Sequence, residues 1–378
     1  MTGNKVSAAI VTYNRLELLK ESLAAVLNQT DYLSHVIVIN NMSNDGTEEY
    51  LNSLDDDRLV VFHSQENLGG AGGFNQAVRM FMTDTEDDFV WLMDDDTIAQ
   101  PDALKYMVDF ANANAPVGFV NSLVRWGSLD GRPSWMNVQG PRVFAWPMHL
   151  NDVENPGIEV VNSSFVSVMI PREIVEMVGL PQKEYFIWGD DIEYTNRIAD
   201  IHRGYTATRS VVVHKSKENT MPGDIVREED ENRLWRYEYE FRNRMLTARR
   251  IKKRDMLNVA KAGIRFDLRA VLLAKGVKFR LKKAGMIIKG TWRGFFFNPE
   301  IQFVPGMKNY DVRSINDLLN ARYLANPTKR ITLDEEMDIV DNGKLSYYAG
   351  KNAKVDAFLD QIEADKQARI AADQKKSN

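Results

Sequence analysis

The sequence predicts an α/β protein: a mostly parallel sheet with helices on both faces, followed by a helical, basic C-terminal region. Two observations carry this prediction. Short apolar runs alternate with segments of helical periodicity from Val6 to Met93, and the charge of the chain changes sign beyond residue 241. Val6–Thr12 reads as the first strand, and the turn-prone Tyr13, Asn14 and Arg15 lead into Leu16, Leu19, Leu23, Val26 and Leu27 at helical spacing. His35–Ile39 is a second strand, Asn40–Gly46 a polar loop and Thr47–Leu54 a short helix. Leu59–His63 is a third strand, joined by a glycine-rich loop, Asn67–Gly73, to a helix from about Phe74 to Met82. Phe89–Met93 is a fourth, ending in Asp94, Asp95 and Asp96. Ligands of such sheets gather at the carboxyl ends of the strands, where all these loops fall. Pro116–Pro181 is strand-rich and turn-rich, with Trp126, Trp135 and Trp146. Glu228–Gly290 reads as helical, and Lys354–Asn378 as a charged helix running into a polar tail.

The 378 residues divide, on this reading, into a catalytic domain over 1–227 and a helical, basic region over 228–378. Within the first, residues 1–115 form one half and 116–227 the other. A hydrophobic content of 44% with 27% charged residues is that of a globular protein. No run approaches the roughly 20 apolar residues of a membrane helix. Val6–Val11 is too short for a secretory apolar region, so the cytoplasm is the expected compartment. The absence of cysteine excludes disulfides, thiol nucleophiles and cysteine zinc sites. The net charge of −5 hides an asymmetry: Arg242–Arg293 holds 17 Lys and Arg against only Asp255 and Asp267, a local charge of +15 that leaves −20 on the rest.

Asp94 and Asp96 lie two apart at a strand end, so both carboxylates can reach one hard cation while Asp95 points elsewhere. Magnesium or manganese held there can neutralise a diphosphate leaving group. An acidic triplet can equally cap the following helix. Gly69, Gly70, Gly72 and Gly73 would let backbone N–H groups approach a phosphate or a sugar, or form only a tight strand-to-helix turn. In Trp188–Tyr194, Asp190 and Glu193 have capping-box spacing, which leaves Asp191 in the first turn free to take a proton from an incoming hydroxyl. Trp188 offers a flat face to a sugar ring or packs in the core. His214, closing the strand Ser210–Val213, would complete a mixed nitrogen and oxygen set for a first-row ion, or is a packed histidine.

In order along the chain, Val11–Arg15, Asn41–Thr47, the glycine loop, the Asp triplet with Pro101 and Asp102, Trp188–Tyr194 and His214 resemble the family 2 glycosyltransferases of the GT-A fold. The resemblance spans Lys5 to Lys215, and Asn67–Phe74 looks most like bacterial galactofuranosyltransferases, with rhamnosyltransferases next. It implies that Thr12, Tyr13, Asn14 and Arg15 line the nucleotide pocket together with Asn40, Asn67, the four glycines and Asp95. It implies that Asp94, Asp96 and His214 hold Mn²⁺ or Mg²⁺, that Asp191 is the general base of an inverting displacement, and that Trp188 and Asp190 meet the acceptor. The donor would be a nucleotide-diphosphate sugar, UDP-galactofuranose or, alternatively, dTDP-rhamnose. The acceptor would be a bacterial cell-surface glycan or its lipid-linked precursor.

Two positions depart from the family. Asn40 stands where Asp is frequent, although its carbonyl can still accept the N3–H of uracil or thymine. On this reading a β-domain like that of the large polymerising galactofuranosyltransferases is not expected before the first strand near Lys5, and the resemblance does not extend to processive extension.

The basic segment has two readings. Arg249–Arg254 and Lys275–Lys283, interleaved with Leu272, Leu273, Val277, Phe279 and Leu281, would lie on the anionic inner face of the cell membrane, or the cations would pair with the acidic body or a second subunit. No nucleic-acid module accompanies the charge. Among other classes, a nucleotidyltransferase needs a Gly-rich, Lys/Arg-rich loop near the N-terminus, and Thr12–Arg15 supplies only Arg15. A non-catalytic sugar-binding protein would have no need of Asp94, Asp96, Asp191 and His214 together.

Overall fold

A computed structural model describes residues 4–134, 137, 156–200, 202–219, 224–251, 255–305 and 307. The expected alternation is present. Strands β1 (Val6–Thr12), β2 (Leu33–Asn40), β3 (Leu59–His63) and β4 (Phe89–Asp94) form the parallel half of a nine-stranded sheet. Helices α1 (Leu16–Leu27), α2 (Thr47–Asn52) and α3 (Gly69–Asp84) join them. Strand β5 (Thr97–Ala99) and helix α4 (Ala103–Ala113) follow.

All seven residues of β1 are buried, as continuous apolar strands require when both faces are covered. Val6, Ala8 and Ile10 pack in one core cluster with Leu19, Leu23 and Val26 of α1 and with Leu104, Met107 and Val108 of α4. Val11 points to the opposite face, where Gly73 of α3 lies so near that a Cβ there would come within 2.4 Å of it. Helix α3 begins at Gly69, five residues before the expected Phe74, so the glycines form its first turn and not a loop.

The second half of the sheet is mixed. Strands β6 (Phe119–Trp126), β7 (Gly157–Val160), β8 (Ser167–Pro171) and β9 (Gly204–His214) extend it in the order β3-β2-β1-β4-β8-β6-β9-β5, and β7 pairs with β9. Strand β8 runs antiparallel to both β4 and β6. This mixed sheet with helices on both sides is the α/β class expected from the sequence. Helices α5 (Arg172–Val178) and α6 (Asp190–Ala199) lie between β8 and β9. Trp135, Trp146 and the tail Lys354–Asn378 lie outside the described residues.

Beyond the sheet come α7 (Trp235–Ile251), α8 (Asp255–Ala262), a wide π-helical turn (Gly263–Leu268), α9 (Arg269–Leu273) and α10 (Arg280–Phe296). Close packing on α7 explains the glycines of α10: a Cβ at Gly290 would fall 2.4 Å from the Glu238 carbonyl oxygen, and one at Gly294 would fall 2.6 Å from Met245. The division expected after residue 227 is not where the packing separates. One compact unit takes in Met1–Ala199 with Arg203–Asn309, and a second, Asp200–His202 with Tyr310–Asn378, lies almost wholly outside the described residues.

The basic segment is also more internally paired than its composition indicates. Arg249 donates to the carbonyls of Gly294 and Phe295, and Arg250 pairs with Glu193. Lys278, Lys282 and Lys289 pair with Glu229, Glu231 and Glu238. Lys283 is buried on the Val226 carbonyl, and Arg280 donates to the carbonyls of Leu272 and Ala274. Within the two stretches expected to meet a membrane, these cations are therefore committed to the protein itself, because they sit beside helix ends and the acidic turn before α7. Residues 252–254 lie outside the described residues. Among those described, no helix is long and apolar enough to cross a membrane.

Candidate active site

Sheet register builds the centre of the site. Asp94 is the last residue of β4, opposite Val11 of β1. The chain turns at Asp95 and Asp96, and β5 then pairs antiparallel with β9, setting Thr97 opposite His214. Three residues that are distant in sequence thereby converge: Asp94, Asp96 and His214 offer ligand atoms that all lie within 4.8 Å of one another. Asp96 Oδ1 is buried 3.0 Å from His214 Nε2 and has no other polar partner among the described residues. The Ser134 hydroxyl lies 3.4 Å from His214 Nδ1, the outer contact that orients a ligating imidazole. Two carboxylates and one imidazole nitrogen, with an acceptor oxygen left over, fit a divalent ion such as Mn²⁺ or Mg²⁺.

Asp95, in the turn between β4 and β5, points the other way. Its Oδ2 accepts from the Thr12 hydroxyl at 2.8 Å and its Oδ1 from Arg15 at 3.1 Å, while Arg15 also reaches Asp96 at 2.6 Å. Burial pushes the Asp95 carboxyl up to about 6, against the pull of Arg15. Asp94 rises to about 7 through burial and the neighbouring Asp96 charge. Burial would also raise Asp96, but its bond to His214 and the His214 and Arg15 charges hold it below the usual carboxylate range. His214 rises against its own burial because Asp96 faces it. A like-charge cluster of this kind is stabilised by a bound cation.

The nucleotide-side residues fall into two groups. Tyr13 is 45% exposed, and Arg15 keeps half its side chain open beside the carboxylates. Asn14 has a positive φ of 53°, and its side chain clasps the Asn41–Thr47 loop by accepting from the Asn44 N–H at 2.8 Å. Asn40, by contrast, is buried and spends its amide on the protein: the carbonyl accepts from the Ser43 N–H at 3.1 Å and the amino group lies 3.0 Å from His63 Nδ1. The described contacts thus make it a clasp for the loop, not an open acceptor for a base. Asn67 likewise caps α3, taking the Gly69 N–H at 2.9 Å.

The expectation that four glycines cradle a phosphate is narrowed to one. Gly69 has φ +69°, and a Cβ there would meet the Phe186 carbonyl oxygen at 2.1 Å. Gly72 and Gly73 are occupied by Leu68 and Val11, and only Gly70 faces open space. The Ala71 N–H is already given to Phe186 at 3.2 Å. Three of the glycines therefore serve close packing of α3 on β1, on its own first turn and on the loop before α6.

That loop carries the second pair of carboxylates. Phe186, Trp188 and Gly189 all have positive φ, which for the two aromatic residues is strained. The strain is held by Asn243 of α7, whose Nδ2 donates to the carbonyls of Tyr185, Ile187 and Trp188 at 2.9–3.0 Å. Arg242 beside it donates to the Glu184 and Tyr185 carbonyls. No pattern in the sequence pointed to either residue, because the helix and the loop are more than 50 positions apart. Trp188 is half-buried, edge-on to Tyr237 at 5.3 Å, so it packs as much as it presents a face.

Asp190 is not the helix cap that its spacing suggested. The Gly189 carbonyl accepts the Glu193 N–H, which places Asp190 already inside α6, and Glu193 turns inward to Arg197 and Arg250. Asp190 is buried, and burial with the Asp191 charge pushes its carboxyl well above the ordinary range. Asp191 is half-buried; its Oδ1 accepts the Ile192 N–H at 2.7 Å, and burial lifts it to about 6. Of the two, Asp191 is the more exposed.

Residues 7–175 match the family model of glycosyl transferase family 2. The galactofuranosyltransferase GlfT2 of Mycolicibacterium smegmatis (strain ATCC 700084 / mc(2)155) is 25% identical over 281 residues, covering 64% of this chain and 40% of that protein. Galactofuranosyltransferase GlfT1 of the same organism is 27% identical over 212 residues, covering 51% and 65%. The chain thus spans less than two thirds of the length of either relative. A solved structure of the mannosyltransferase PcManGT from Pyrobaculum calidifontis, in complex with GDP-Man and Mn²⁺, is 17% identical and covers 93% of this chain and 89% of its own, at a TM-score of 0.45. Over residues 7–175 the chain is thus similar to glycosyl transferase family 2, and among named proteins it is similar to galactofuranosyltransferases.

Proposed function

We propose that the protein is an inverting, metal-dependent hexosyltransferase that moves galactofuranose from UDP-galactofuranose to a sugar hydroxyl of a bacterial cell-surface glycan or its lipid-linked precursor. The observation that carries the reading is the gathering of Asp94, Asp96 and His214 within 4.8 Å, beside Arg15 and at the carboxyl ends of the strands. Asp94, Asp96 and His214 would hold Mn²⁺ or Mg²⁺, which when bound neutralises the diphosphate as it leaves. Thr12, Tyr13 and Arg15 border the nucleotide. Asp191 takes the proton of the acceptor hydroxyl as its oxygen bonds to the anomeric carbon and the bond to the diphosphate breaks on the opposite side. One displacement inverts the carbon and needs no covalent intermediate. A lipid-linked acceptor would bring the enzyme to the inner face of the cell membrane as a peripheral protein. The donor is supported by the similarity to galactofuranosyltransferases.

Incubation with UDP-galactofuranose, UDP-galactopyranose and dTDP-rhamnose, scored by released nucleoside diphosphate, tests the proposal. UDP release should be fastest from the galactofuranose donor. Clear preference for dTDP-rhamnose would reassign the donor, and no release from any nucleotide sugar would overturn the enzyme reading.

A further inference from the structure

The internal pairing of the basic segment isolates a second set of cations. Lys261, Arg265, Arg269 and Lys275 make no ion pair and no hydrogen bond among the described residues. The first three are spaced by four along the continuous helix formed by α8, the π-helical turn and α9. A π turn takes more than four residues, so this spacing keeps the three cations close to one stripe. Large apolar side chains lie exposed among them: Phe266 at 65%, Leu273 at 68%, and Leu257, Ile264 and Leu272 beside these. Arg265, Phe266, Arg269, Ala270, Leu273 and Ala274 line one shallow, open hollow. The one acid of the turn, Asp267, is paired with Arg244. A second exposed apolar row runs along α10 through Leu281, Ile288, Trp292 and Phe296.

We infer that the face formed by Lys261, Arg265, Phe266, Arg269 and Leu273 docks on an anionic phospholipid bilayer, its cations at the phosphates and its apolar side chains among the acyl chains. Charge complementarity selects this occupant. The remaining chain, 308–378, is neutral as a whole, with as many acidic as basic residues, and its one strongly acidic run, Asp334–Asp341, is short. A second copy would set the same unpaired cations into one desolvated contact. A nucleic acid would satisfy the cations but leave the leucines and Phe266 without a partner. The inference deepens the lipid-linked acceptor of the proposed function and rests on it only for its purpose, since docking is measured without a donor.

The full chain is sedimented with vesicles of phosphatidylcholine alone and of phosphatidylcholine with about one third phosphatidylglycerol, at low and high salt. It should bind only the anionic vesicles, and salt should release it. Arg265→Glu with Arg269→Glu should weaken binding about tenfold or more. Phe266→Ser with Leu273→Ser should weaken it comparably, and Lys20→Glu on α1 should leave it unchanged. Release of UDP with a soluble acceptor, unaltered in every variant, shows that each is folded and separates a failure of docking from a failure of the transfer reading. Equal binding to both vesicle types, or full binding by both double variants, overturns the inference. It is likewise overturned if the Phe266 and Leu273 substitutions change only the mass of the protein in solution, or if duplex DNA binds as tightly to that variant as to the wild type.

Discussion

The two carboxylate groups of this protein stand in opposite electrostatic company. At the strand end, Asp94, Asp95 and Asp96 have Arg15 and His214 beside them; these cations hold Asp96 below the usual carboxylate range, although burial still lifts Asp94 to about 7 and Asp95 to about 6. At the helix start, the charges acting on Asp190 and Asp191 are Asp94, Glu193 and Glu240, all acidic, and both carboxyls are pushed up. The contrast separates two chemical tasks that use the same side chain. A metal ligand needs a charge that cations sustain, whereas a proton acceptor needs a pKa near the working pH, which burial among acids provides.

The largest effect should come from the strand end. Asp96→Ala removes a ligand and the His214 partner together, so donor binding that depends on metal should vanish and transfer should fall below detection. Excess EDTA should do the same to the wild type, and undiminished turnover in EDTA would falsify the metal role.

Asp191→Asn should lower transfer by about 10²–10⁴-fold while donor and metal affinity stay near those of the wild type, a loss confined to kcat. Asp190→Asn replaces a buried carboxyl whose charged form is disfavoured and should keep activity within about tenfold. If the two variants exchange phenotypes, the base is Asp190 and the comparison of their environments was read in the wrong direction.

A pH profile sharpens the same distinction. A base raised to about 6 is deprotonated above that pH, so transfer should be flat near neutrality and should fall about tenfold by pH 5 as Asp191 takes up its proton. A profile with no acid limb at saturating metal would show that no group of this pKa acts as the base.

The smallest effects concern the link between the regions. Gly69→Ala drives a methyl into the Phe186 carbonyl, and Asn243→Ala strips the donor from three carbonyls of the loop before Asp190. Each should cost about 1–3 kcal/mol of stability in urea unfolding. Gly70→Ala faces open space and should change stability by less than about 1 kcal/mol. Equal losses at Gly69 and Gly70 would remove the packing argument for the glycine turn.

The sequence by itself determined the alternation of strands and helices, the two acidic clusters and the site end of the sheet. These are periodic or local signals: continuous apolar strands such as Val6–Thr12 announce burial on both faces, and two carboxylates two apart on a strand share a side. Only the tertiary structure decided which polar groups are already spent. Asn40 closes on Ser43 and His63, Gly69 yields to Phe186, Glu193 turns to Arg250, and Asn243 holds a loop that no local pattern joins to it. The same holds for the basic segment, whose count of 17 cations said nothing of Lys283 buried on a carbonyl or of Arg265 and Arg269 left facing outward. Composition fixes how many donors and charges a chain carries, but the partner each one meets depends on contacts between residues far apart in sequence, and those exist only once the chain is packed.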